Sequence, residues 1–190
     1  MQVQRIPHAK THRLPDLASC VVDSDPALAG FYRPFAYQPD AAHIQQQKKR
    51  FTPQQRETLV SVLKSQYDHI DDAPTNQLDK LSSSKSFTIT TGHQLNLFTG
   101  PLYFIYKIID VIKIANQWNA QNDGNTYVPV YWMASEDHDF EEINHFAVNG
   151  QSVHWSRDET GPVGRLSTEG LDQVLEVWKQ HLGDRPHAEK

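Results

Sequence analysis

A chain of 190 residues with 38% hydrophobic and 22% charged residues can bury one core and has the make-up of an ordinary globular protein. Its net charge of −5 argues against a general nucleic-acid or anionic-membrane surface, and the single cysteine, Cys20, excludes an internal disulfide or a thiolate metal cluster built from this chain. The N-terminus, Met1-Gln2-Val3-Gln4-Arg5-Ile6-Pro7, has no apolar leader, and no run approaches the roughly eighteen apolar residues of a membrane span, so a cytoplasmic protein is expected.

Residues 1–50 are rich in Pro, Asp and His and read as an irregular arm, with Phe31-Tyr32-Arg33-Pro34-Phe35-Ala36-Tyr37 as apolar anchors onto a core. Phe51-Thr52-Pro53-Gln54-Gln55 is a helix start, in which Thr52 caps, Pro53 suits the first turn and Gln55 completes a capping box. Leu59, Val62/Leu63, Tyr67 and Ile70 then recur at helical spacing, ending near Asp71-Asp72. A short helix around Gln77 to Leu81 leads into the turn Ser82-Ser83-Ser84, which closes an accessory region over 1–85.

An α/β pattern occupies 86–190. A strand over 87–91 feeds a Gly-rich loop and a helix over 101–118. On this helix Phe104, Ile108, Val111/Ile112, Ala115 and Trp118 form the apolar stripe, with Lys107, Asp110, Lys113 and Gln117 opposite. After the turn Asn122-Asp123-Gly124-Asn125, a strand over 127–134 completes a unit expected to be a right-handed crossover with parallel strands. Tyr131 and Trp132, inside that strand, are assigned to core packing. His145 to Val148 and Gln151 to Trp155 flank Asn149-Gly150 as a β-hairpin with a type I′ turn, with His145 and His154 on its face. The last helix aligns Leu171, Val174/Leu175, Trp178 and Leu182 on one face. So few strands with an apolar helical face left over describe the front part of a larger protein, or a protomer completed by another chain.

Chemistry concentrates where the two strands of the crossover end. Gly92 and Gly100 allow close backbone approach, and the N–H groups opening helix 101–118 favour an anion; Thr99 is placed to cap that helix and to donate to a phosphate or carboxylate. His93 suits a developing oxyanion or general acid–base work, and Lys107 can reach an anionic ligand from the helix. Glu136-Asp137-His138-Asp139 follows the second strand and can bind a cation, orient an imidazole or hold a substrate ammonium. In an extended segment 137 and 139 face one way and 136 and 138 the other, so about half of the group meets one ligand. With Glu142, these are hard ligands for Mg²⁺ or Mn²⁺, or for Zn²⁺ with a further histidine, although a stably bound metal is not expected. Phe140-Glu141-Glu142-Ile143 also reads as the start of a helical turn that an Asp-His-Asp triplet would cap.

Thr91-Gly92-His93-Gln94 with Leu97-Phe98-Thr99-Gly100-Pro101-Leu102-Tyr103, then Tyr106-Lys107, and Pro129-Val130-Tyr131-Trp132-Met133-Ala134-Ser135-Glu136-Asp137-His138-Asp139-Phe140-Glu141-Glu142-Ile143-Asn144 together resemble the signature of the BshC family, the cysteine-adding enzymes of bacillithiol biosynthesis. Gly161-Pro162-Val163-Gly164-Arg165-Leu166 is similar to a further family segment. The resemblance runs from Leu14 to residue 185 and corresponds to roughly the first third of a family member. It implies an α/β, Rossmann-like core related to class I nucleotidyltransferases and synthetases, carrying the strand–helix–strand unit, an added hairpin and the N-terminal helical arm; the family's coiled-coil arm is absent here. The implied reaction joins L-cysteine to glucosaminyl malate by amide formation. ATP or another nucleotide is compatible with it, but how the carboxylate is activated is left open.

On that resemblance His93, Asp137 and His138 are the expected catalytic residues. Gly92, Gln94, Asn96, Thr99, Gly100, Tyr103, Lys107, Glu136, Asp139 and Arg165 are the expected binding residues, with Arg165 suited to clamp the malyl carboxylate or a phosphate. Gln94 and Asn96 depart from the histidine signature of the synthetases, so the resemblance gives only weak support for an adenylate-forming step. Small-molecule substrates, no nucleic acid, no membrane and room for a homo-oligomer complete the expectation. The competing readings are a nucleotide- or sugar-phosphate-binding domain without its own catalysis, and a metal-dependent hydrolase at Asp137-His138-Asp139.

Overall fold

A computed structural model of the chain describes residues 4, 6–31, 51–121 and 123–184. The anchors at 32–37, Asn122 and the tail from 185 lie outside the described residues. The chain divides into two compact units, Met1–Arg50 and Phe51–Lys190.

The first unit, expected to be irregular, holds short helical pieces in its described part. A 3-10 turn over His8–Lys10 precedes helix α1 (Asp16–Val22), and a second 3-10 turn spans Pro26–Leu28. Pro26 sits in the first turn of the last piece, and the Asp25 carboxylate accepts from Ala27 N at 2.9 Å. Pieces this short repeat no apolar period, so the sequence pattern does not reveal them.

The second unit opens with helix α2 (Pro53–Tyr67) on the expected capping box. Thr52 Oγ1 accepts from Gln55 N at 3.2 Å, and Thr52 N donates to Gln55 Oε1 at 2.8 Å. The buried stripe is Arg56, Val60, Leu63 and Tyr67, one step round from the expected one; Leu59, Val62 and Ile70 are exposed. The Arg56 guanidinium selects that face. It donates to Leu81 O at 2.7 Å and Ser86 O at 3.4 Å, tying α2 to the end of helix α3 (Thr75–Leu81) and the start of strand β1 (Ser86–His93).

Strand β1 pairs in parallel with β2 (Thr126–Met133), in register from Ser86↔Thr126 to His93↔Met133, and helix α4 (Leu102–Ala120) packs on both strands. Val60, Leu81 and Val128 form the core on one sheet face, each fully buried branched side chain contributing about 1.5–3 kcal/mol. On the other, Tyr127 and Tyr131 meet Trp118 and Phe104 of α4 edge to face. The buried positions of α4 are Val111 and Ala115, with Phe104, Lys107, Ile108, Ile114 and Trp118 partly buried; Ile112, assigned to the stripe, is exposed and Lys107, assigned to the opposite face, turns toward the sheet.

Strands β3 (His145–Val148) and β4 (Gln151–His154) form the antiparallel hairpin, with φ of 51° at Asn149 and 78° at Gly150 as a type I′ turn requires. Helix α6 (Leu171–Leu182) follows; a one-turn helix α5 (Phe140–Ile143) lies between β2 and β3. Phe146, Trp155 and Val174 are the centre of a second core, against which Leu97, Phe98, Phe140 and Trp178 pack. The α/β class with a parallel pair, helices and an added hairpin is the fold observed.

Candidate functional site

Both parallel strands deliver their carboxyl ends to the same place, because the register puts Gly92 beside Trp132 and His93 beside Met133. A loop after β1 and a loop after β2 therefore meet at the sheet edge where α/β folds bind ligands. Gly92 faces the Trp132 side chain: a Cβ there would lie 2.9 Å from Trp132 O and 3.1 Å from its Cβ. Trp132 is not a core residue. It is 60% exposed, and its Nε1 donates to Glu136 Oε1 at 3.1 Å.

His93 is buried on the α4 side, its ring 5.4 Å from Tyr103 and 5.7 Å from Phe104. Its backbone oxygen accepts from the Tyr131 hydroxyl at 2.9 Å and from Ala134 N at 3.0 Å. Burial raises the Tyr131 phenol above its ordinary value, keeping it a neutral donor in this bond. The imidazole meets Asn96 Nδ2 and Tyr103 Oη, each at 2.9 Å, and Glu142 Oε1 at 3.4 Å. Gln94, also buried, donates through Nε2 to Glu142 Oε2, while its Oε1 has no hydrogen-bond partner among the described residues. Lys107 Nζ donates to Gly92 O at 3.1 Å and lies 5.3 Å from the centre of the Tyr103 ring.

The loop between His93 and α4 is strained. Phe98, Thr99 and Gly100 take consecutive positive φ values of 48°, 73° and 59°, unfavourable for the first two and most so for a β-branched threonine. Thr99 does not cap α4: the helix begins after Pro101 without a side-chain cap, because Thr99 belongs to the preceding 3-10 turn over Leu97–Thr99. Gly100 lies over Asn96, whose Cγ would be 2.6 Å from an added Cβ.

The acidic cluster is a turn rather than an extended segment. Ser135 N donates to Met133 O at 2.7 Å and Asp137 N to Ala134 O at 3.3 Å. Asp137 Oδ1 accepts from His138 N at 2.7 Å and Asp139 N at 3.3 Å, and Asp139 caps α5 by accepting from Glu142 N at 3.2 Å. One oxygen each of Asp137 and Asp139 thus accepts from backbone donors, and among the described residues no group of three or more His, Cys, Asp and Glu is arranged to hold a metal ion. The His138 side chain is 86% exposed, and its Nδ1 lies 3.8 Å from Asp137 Oδ1.

The segment 161–166 docks on this turn. Val163 N donates to Asp137 O at 2.7 Å and Gly164 N to Ser135 O at 2.9 Å. Only glycine fits at 164, since a Cβ there would come within 2.5 Å of Ser135 Cβ. Arg165 is exposed on the 3-10 turn Val163–Arg165. The fold thus joins Gly92, His93, Gln94, Asn96, Tyr103 and Lys107 in one network, brings in Glu142, and seats Gly164 on the 135–137 turn. His138 and Arg165 are both exposed. Glu142, assigned in sequence only to a metal reading or a helical turn, has no spacing signal linking it to Gln94.

No helix among the described residues is long and apolar enough to cross a membrane. The family model for Bacillithiol biosynthesis BshC, N-terminal Rossmann-like domain, matches residues 1–190. The chain is 39% identical over its whole length to a protein of Christiangramia forsetii, and 40% identical over its whole length to one of Flavobacterium psychrophilum, spanning 36% of each. It is 46% identical to a protein of Flavobacterium johnsoniae over 76% of this chain and 28% of that relative; all of these carry the name "Putative cysteine ligase BshC". The chain thus spans about a third of the length of the curated relatives it matches. With the matched domain over its full length and these identities, the chain belongs to the BshC family.

Proposed function

We propose that this chain is part of a cysteine ligase that forms an amide between L-cysteine and glucosaminyl malate in bacillithiol biosynthesis. One observation carries the reading: the 92–103 loop and the 135–142 turn, far apart in sequence, are joined at the carboxyl end of the parallel pair through Gln94, His93 and Glu142. A buried polar network opening onto an exposed Tyr103, with Lys107 alongside, suits an anionic carboxyl or phosphoryl group.

In this reading Gly92, Gln94, Asn96, Thr99, Gly100, Tyr103 and Lys107 shape the anion side, and Glu136 and Asp139 the opposite rim, where the cysteine ammonium is held. Asp137 and His138 stand next to the incoming amine, His93 acts from within through Tyr103, and Arg165 meets the malyl carboxylate. Residues 1–85 act as an accessory region and 86–190 as the first part of the catalytic core. The exposed apolar residues Leu102, Tyr106, Ile109 and Ile112 of α4 support further family chain covering that helix.

His138→Ala and Arg165→Ala in the protein expressed from its complete reading frame test this directly, because both side chains are exposed and their loss leaves the core intact. The expected result is an unchanged melting temperature and at least about a hundredfold loss of product from glucosaminyl malate and cysteine. Wild-type turnover in both variants removes these residues from the reaction. Calorimetry that finds substrate binding without turnover supports a binding domain instead.

A further inference from the structure

We propose that the ligand-facing group of the 92–103 loop is the Tyr103 hydroxyl, held as a hydrogen-bond donor to a ligand oxygen by His93 behind it, with Asn96 setting the His93 tautomer. This rests on the proposed reading of the loop as a ligand site, and names its contact atom and the class of atom it takes: a carboxylate or phosphoryl oxygen.

The tautomer follows from one amide. Asn96 Nδ2 lies 2.9 Å from Gln94 O and 2.9 Å from His93 Nδ1. A backbone carbonyl only accepts, so the amide nitrogen, not the amide oxygen, faces Gln94; that nitrogen only donates, and Nδ1 beside it has to accept. His93 Nδ1 is therefore an acceptor and the ring proton sits on Nε2. Nε2 faces Tyr103 Oη at 2.9 Å and Glu142 Oε1 at 3.4 Å, and the shorter contact is the better hydrogen bond.

With Nε2–H given to Oη, the phenol keeps its own hydrogen for an outside partner, and the bond it receives strengthens the one it gives. Access agrees: His93 is 8% exposed and Tyr103 47%, so of the two residues Tyr103 is the one open to a ligand. The alternative tautomer would send Nδ1–H to Gln94 O at 3.2 Å and consume the phenol hydrogen at Nε2, leaving nothing to donate outward. The charged side chains placed at this pair are Glu142, held by Gln94, and Lys107, held on Gly92 O. Tyr103 is the proposed catalytic donor; His93 and Asn96 are positioning residues.

The test joins nitrogen NMR of histidine-labelled protein from the complete reading frame with kinetics, His93→Gln assigning the signals. The expected result is Nε2–H with an unprotonated Nδ1, a population moving toward Nδ1–H in Asn96→Ala, and in Tyr103→Phe about a hundredfold lower kcat with KM and melting temperature held. An Nδ1–H ring in the wild type, or Tyr103→Phe turning over at the wild-type rate, overturns the proposal. A wild-type protein that makes no product sinks the ligase reading instead. The loop is then judged by titration with inorganic phosphate and malate: Tyr103 ring signals that move support the proposal, and unmoved signals overturn it.

Discussion

Phe98 lies nearly face to face with Trp178, their ring centres 4.8 Å apart and their planes 25° from parallel. Phe146 closes the third side, 4.8 Å from Phe98 and 5.2 Å from Trp178, both edge to face. Phe98 is also where the backbone of the candidate ligand loop enters the left-handed region. Each such residue costs on the order of 1–3 kcal/mol, and an aromatic pair contributes about 0.5–1.5 kcal/mol beyond burial. Helix α6 therefore helps hold the strained loop.

Trp178→Ala is accordingly expected to destabilise the protein by about 2–4 kcal/mol and to loosen the loop as well as α6. Urea unfolding gives the first quantity, and hydrogen exchange at residues 97–100 the second. Loss of stability with unchanged protection in the loop would disconnect the two.

Thr99→Gly should do the opposite to stability. Glycine accepts a φ of 73° without the penalty of a β-branched side chain, so a gain of about 1 kcal/mol is expected. The proposed role of the hydroxyl predicts that turnover falls in the same variant while Thr99→Ser keeps it. Melting temperature and product formation are the readouts, and a less stable Thr99→Gly contradicts the strained conformation.

Gly164→Ala forces a methyl group against Ser135, with 2.5 Å to its Cβ and 2.9 Å to its carbonyl oxygen. Overpacking of this kind costs about 1–3 kcal/mol and pushes the 161–166 segment off the 135–137 turn. The double variant with Ser135→Gly should recover part of the loss. Equal stability of single and double variants would mean that the two segments do not press on each other.

The Asp123–Tyr127 pair predicts the pH response of the β2 start. The Tyr127 hydroxyl donates to Asp123 Oδ2 at 2.7 Å and lowers that carboxyl, while burial, then Asp123, push the phenol up to about 12 from its ordinary 10.0. The folded phenol keeps its proton where the unfolded one gives its up. Its stabilisation is thus whole below pH 10.0 and declines as pH rises toward about 12. Asp123 works in reverse: its contribution is present above the ordinary 3.8 and is lost as pH falls through its lowered value. Tyr127→Phe should flatten both limbs of a stability–pH curve measured by urea unfolding; an unchanged alkaline limb would rule out this phenol as its source.

The elements themselves were legible because their causes are local. The capping box at Thr52 and Gln55, the Asn149-Gly150 turn and the apolar periods of α4 and α6 act over a few residues, and each forms where its residues predict. Parallel pairing of β1 and β2 followed from the length of the connection between them. The family signature was legible too, as an order of motifs.

Which face each helix buries, and what the site residues touch, only the tertiary structure decided. Helix α4 carries Ile105, Ile109 and Ile112 besides its buried positions, so several stripes are consistent with its sequence, and contact with Tyr131 and Tyr127 through Phe104 and Trp118 selects one. Lys107 turns inward because Gly92 offers a carbonyl there. Asp137 and Asp139 became turn and helix caps once the chain bent after Met133, where alternation along an extended strand no longer applies. Glu142 joined His93 and Gln94, and Trp178 joined Phe98, across separations that no sequence period spans: local propensity sets the segments, and long-range packing sets which of them meet.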